Sequence, residues 1–80
     1  MTKTLPIAAI FSIEVFKTDI ENATQAAALV RLVESQFSGT VANVDLHDCD
    51  KVLRVKGWNL EADAISQMVQ CAGFLCRPLE

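Results

Sequence analysis

One histidine, one cysteine and two aspartates stand in a row at His47-Asp48-Cys49-Asp50. Imidazole, thiolate and carboxylate are the ligands that zinc takes. With Cys76 added, His47, Cys49 and Cys76 form a candidate metal set, copper or zinc being the ion such a soft set would carry. A bland account competes with this one. Aspartates in a turn accept hydrogen bonds from nearby backbone amides, and four consecutive side chains of a tight turn do not readily converge on one ion. Turn-shaping is therefore the expectation, and no cofactor is expected. Cys71 and Cys76 are a second pair of thiols. Helical spacing sets Cys71 beside Met68 at the margin of an apolar stripe, where a free cysteine behaves as a small hydrophobe, so Cys71 is expected to be buried. Three residues are candidates for contact with a partner: Phe16, Lys17 and Trp58. Tryptophan is enriched at binding hot spots, although Trp58 can equally cover the end of a core. Enzymatic chemistry has no foothold. The single histidine has no nucleophile arranged with it, and three glycines make no phosphate-cradling loop.

Composition narrows the classes further. Eighty residues make one small domain, and 51% hydrophobic residues are enough to build a core. The net charge is −3, and the seven basic residues look scattered along the chain. Nucleic-acid binders gather such residues into a patch, so a protein partner or a homodimer is expected, and nucleic acid is not. Three cysteines, an odd number without paired spacing, read as free thiols in a reducing cytoplasm. Lys3 followed by the apolar run 5–11 faintly resembles a leader, but cleavage there would remove the best strand in the chain. No apolar run approaches the ~20 residues of a membrane span, so no membrane partner is expected.

The elements that must hold these residues follow from hydrophobic period. Residues 10–16 alternate, with Phe11, Ile13 and Val15 on one face and Ser12, Glu14 and Phe16 on the other. Thr18-Asp19-Ile20-Glu21 has the form of a capping box, with Asn22 and Gln25 as a second possible start. Ala23, Ala26, Ala27, Leu29, Val30, Val33 and Phe37 then recur at helical spacing, predicting a helix over 19–37 that Gly39 stops. Strands over 41–46 and 52–56 flank the tetrad as a hairpin. Asn59 can cap a helix over 60–72, with Ile65, Met68, Val69 and Ala72 as its stripe. A short strand over 74–78 closes the chain. This order predicts an α+β fold: a ferredoxin-like βαββαβ open-faced sandwich, with a four-stranded antiparallel sheet and two helices on one face. Right-handed crossovers would put the first and third strands in the centre. The outer face is then expected to show Phe16, Val41, Val52 and Leu75 among Glu14, Asn43, Arg54 and Arg77. RNA binding there would need exposed aromatics on the central strands, and 52–56 supplies none.

Ile13-Glu14-Val15-Phe16, the segment from Ser38-Gly39-Thr40-Val41 to Asp45-Leu46, Lys51-Val52-Leu53-Arg54-Val55-Lys56-Gly57 and Cys71-Ala72-Gly73-Phe74 together resemble the heavy-metal-associated domain. That family includes copper chaperones and modules of metal-pumping ATPases. The resemblance covers about residues 10–79 and implies the same sandwich. The family's activity rests on a Cys-x-x-Cys between the first strand and first helix, where two thiolates at a helix N-terminus bind a soft ion. Here that stretch, 16–24, contains no Cys, His or Met, so no ligand position carries over. Lys17, Thr18, Asp19 and Glu21 occupy the loop instead, where they can receive a partner or a hard ion, or simply cap the helix. The expectation is a non-enzymatic interaction or regulatory module on that scaffold. The alternatives are a metal carrier with non-standard Cys and His ligands, and a small-ligand regulatory module of the ACT type.

Overall fold

The computed structural model describes residues 10–79; most of the leader-like stretch, and Glu80, lie outside them. The elements are β1 (Phe11–Thr18), α1 (Ala23–Gln36), β2 (Val41–Asp45), β3 (Val52–Trp58), α2 (Ala62–Cys71) and β4 (Cys76–Pro78). The strands form one antiparallel sheet in the order β2-β3-β1-β4, so the first and third strands are central. Both helices bury their stripes against one face of it. Leu29 and Val33 of α1 and Ile65 and Val69 of α2 join Phe16, Ala42, Leu53, Val55 and Cys76 in a single cluster, which Ile20 completes.

The first helix starts one turn later than the capping box at Thr18 predicts. β1 runs on to Thr18, which pairs with Cys76 of β4, so Thr18 is a strand residue and cannot cap a helix. The second start signal is used instead. The Asn22 Oδ1 accepts from the Gln25 amide at 2.9 Å, and the Gln25 Oε1 accepts from the Glu21 amide at 2.8 Å. Two amides at the start of the helix are thereby satisfied. Past the other end, Gly39 sits at φ +77, a left-handed conformation that suits glycine. Asn59 does not cap α2. It sits at φ +53, its amide donates to the Ile10 carbonyl, and its Oδ1 accepts from the Ile10 amide. Glu61 is the N-cap and makes no side-chain capping bond.

The faces of β1 are the reverse of the expectation. Phe16, assigned to the outer face, is fully buried, whereas Phe11 and Ile13 are each 51% exposed. Glu14 likewise has inward parity and is half-buried, with its Oε2 accepting from the Ser12 hydroxyl. The reason is the pairing across the sheet. Phe16 lies opposite Leu53, and Glu14 opposite Val55. A residue and its cross-strand partner share a face, so Leu53 and Val55 draw that parity of β1 inward. Counting apolar residues along β1 alone favours the wrong side. Val52 has outward parity but is buried, and Leu75 falls in the loop before β4 and stays exposed.

Two substitutions on the same strand test this assignment. Phe16→Ala should cost about 3–5 kcal/mol in urea unfolding, the range for emptying a core aromatic site. Phe11→Ala should cost under about 1 kcal/mol, as an outward position predicts.

Candidate functional site

Two regions hold the residues capable of binding. The first is the end of the sheet where β1 leaves for α1 and β2 turns into β3. There the turn geometry accounts for the aspartates. The Asp45 Oδ1 accepts from the His47 amide at 3.0 Å, and the Asp48 Oδ1 accepts from the Asp50 amide at 2.8 Å. The Lys51 amide donates to the Asp48 carbonyl, and Lys51 itself is at φ 47. The hairpin is fastened to β1 by Thr18, whose hydroxyl donates to the Lys51 carbonyl at 2.6 Å and whose amide donates to the Asp50 carbonyl. Asp19 ties the loop before α1 to the segment before β4, its Oδ1 accepting from the Leu75 amide.

Of the candidate metal set, the fold groups only Cys49 with other potential ligands. The Cys49 thiol and one oxygen each from Asp48 and Asp50 lie within 4.8 Å of one another, and His47 is not in that group. Cys76 is buried in the core, where its carbonyl accepts from the Ser66 hydroxyl at 3.0 Å. Burial pushes its thiol pKa above the ordinary 9.0, with hydrogen bonding by Ser66 acting in the opposite direction. Cys71, expected to be buried, is exposed together with Cys49. It is the last residue of α2, about 200° around the helix from the buried Val69, and so on the side turned away from the core.

The second region is the outer face of the sheet, opposite the helices. Its strand positions are Phe11, Ile13, Val15 and Lys17 on β1, Val52, Arg54, Lys56 and Trp58 on β3, Val41, Asn43 and Asp45 on β2, and Arg77 on β4. Trp58 is 61% exposed and pairs across the sheet with Phe11, so it does not cover the core. The two rings meet edge to face, with centroids 5.2 Å apart and an interplanar angle of 66°, a favoured aromatic geometry. Ile13 and Val41 flank Lys56 in the next row. Lys17 lies opposite Arg77 and pairs with Asp50 at 3.7 Å. At these exposures the ion pair contributes little to stability.

Charge is thus sorted by the fold. The basic residues that look scattered in sequence place Lys17, Arg54, Lys56 and Arg77 on this face, against Asp45, the single acidic residue at its outward strand positions. Beside the aromatic pair, a cleft of about 330 Å³ opens between Trp58, Asn59 and Leu60 on one side and Phe37 and Thr40 on the other. Of the three residues expected to meet a partner, Phe16 is in the core and Lys17 and Trp58 are on this face. Phe11, Ile13, Arg54 and Lys56 were missed as one surface. The alternation Arg54, Lys56, Trp58 carried the signal, but ending the strand at residue 56 cut it short.

No helix among the described residues is long and apolar enough to cross a membrane. Comparison of the chain with protein-family models, with curated proteins and with solved structures finds no match.

The thiols offer a direct check. Under alkylation of the native protein, Cys49 and Cys71 should react quickly and Cys76 only after unfolding, as read by mass spectrometry of the peptides. Cys76 also links stability to alkaline pH. Its folded pKa is raised, so its contribution is fully present below the unfolded value and is lost as pH rises through the folded one. The slope of stability with pH above about 9 should therefore flatten in Cys76→Ala.

Proposed function

We propose that this chain is a small non-enzymatic binding module that meets its partner with the outer face of the sheet. The observation that carries the reading is the exposed Phe11–Trp58 pair on the two central strands, with Ile13 and Val41 beside it and basic side chains around it. Exposed apolar and aromatic side chains rimmed by charge are what an interaction surface presents. We read the scaffold as ferredoxin-like, which the order β2-β3-β1-β4 and the two helices in one core support. Its likeness to the heavy-metal-associated domain rests on the residues quoted above. Where that family has its thiolate loop, this chain has Thr18 at the end of β1 and Asp19 after it, which fasten neighbouring segments.

A second reading, a metal carrier, is favoured by one observation, the approach of Cys49 to Asp48 and Asp50. It no longer includes Cys76, which is buried, or His47, which is outside the group. Native mass spectrometry of the reduced protein under chelator competition separates the two readings. The binding-module reading expects no retained Cu(I) or Zn(II) and no change in Cys49→Ser. One ion per chain, lost in that variant, would establish the carrier.

A further inference from the structure

We propose that the outer sheet face binds single-stranded nucleic acid, stacking bases on Phe11 and Trp58 and holding phosphates with Arg54, Lys56 and Arg77. This deepens the binding-module reading and rests on it. The whole chain is −3, yet the strand positions of this face carry four cations and one anion, a local +3. Lys17 is shared with Asp50; among the described residues Arg54, Lys56 and Arg77 form no ion pair.

The aromatic pair makes the ligand more specific than a generic anion. Phe11 and Trp58 are directly opposite each other on the two central strands, and more than half of each side chain is exposed. Unstacked bases lie on such rings, and stacking tolerates any sequence because every base has a π-face. Successive outward rows follow one another along the sheet: Phe11 with Trp58, Ile13 with Lys56, Val15 with Arg54, then Lys17 with Arg77. At about 3.3 Å per residue these rows span about 20 Å. An extended strand laid along them meets rings at one end and cations along the rest. A duplex keeps its bases stacked inside and offers the rings nothing.

Other occupants fit less well. A second copy stacked on this face through a two-fold axis would set its cations against the same cations, which opposes association. An acidic peptide satisfies the cations but leaves the aromatic pair without a flat partner.

Trp58 is the only tryptophan, so its fluorescence reports the site directly. Titration of the full chain at low salt with short oligo(U) or oligo(dT) should quench it. The log–log salt slope should be about −2, as three phosphate contacts on a single strand require at roughly −0.7 each. Phe11→Ala should weaken binding by about 5- to 150-fold, the loss of one stacked base. Arg54→Glu with Lys56→Glu should abolish it, with circular dichroism unchanged; Lys56→Gln, a milder change, should weaken it if the double variant does not fold. Equal binding of duplex would overturn the proposal, as would binding indifferent to Phe11→Ala. If oligonucleotides leave Trp58 unchanged while polyglutamate quenches it, nucleic acid is excluded and the binding face stands. If sedimentation instead shows a dimer lost in Trp58→Ala, the occupant is a second copy. If no oligonucleotide, polyglutamate or second copy engages the face, both readings fail.

Discussion

The pairing of β1 with β3 is the constraint on which the rest of the molecule depends. Its register sets Phe16 opposite Leu53 and Glu14 opposite Val55, and by the same step sets Phe11 opposite Trp58 and Ile13 opposite Lys56. Side chains alternate with a period of two, so a slip of one residue would exchange the two faces completely. Burial chooses between them. Leu53 and Val55 are fully buried and meet Leu29, Val33, Ile65 and Val69 from the helices. The alternative would place Arg54 and Lys56 under the helices without partners, and burying unpaired charges is very costly. The core therefore decides the outer face: the exposed aromatic pair and its cations are what remains when the inner face is satisfied.

The two ends of the sheet are built differently, and the difference bears on function. At the end where β1 meets α1, backbone groups and short polar side chains are tied to one another: Thr18 to the hairpin, Asp19 to the segment before β4, and Asp45 and Asp48 to their own turns. Such bonds use the carboxylates in local architecture. At the other end, Gly57 allows close approach, since a Cβ there would come within 3.0 Å of the Thr40 Cγ2 and 3.1 Å of the Leu60 Cδ2. β3 can thus pack closely against both before delivering Trp58 outward. Polar fastening at one end and open aromatic surface at the other is an asymmetry that the order of elements alone does not contain.

How much of this was legible in sequence depends on the type of signal. Helical period, the glycines after each helix and the turn-rich tetrad located the elements correctly to within a turn. The start of α1 was misplaced because Thr18 and Asn22 are both good caps, and only the extension of β1 into β4 removes Thr18 from the choice. Cys71 is misplaced when it is judged by its neighbour Met68, which is only partly buried, because Ile65, Ser66 and Val69 set the inner side of α2 and Cys71 turns away from it. The basic residues were judged scattered because their spacing in sequence is irregular, whereas strand parity and antiparallel pairing collect Lys17, Arg54, Lys56 and Arg77 from three strands.

By itself the sequence determined the identity and order of the elements and the supply of apolar residues for one core. It also determined the absence of thiolates between β1 and α1. These follow from local period, capping chemistry and composition, which need no knowledge of distant contacts. Tertiary structure alone decided which face of β1 is buried, that Cys76 is enclosed while Cys49 and Cys71 are exposed, and that aromatic and basic side chains share one surface. The physical reason is that β1 carries apolar residues of both parities, so its orientation is set by its cross-strand neighbours and the helices packed upon them, not by its own pattern.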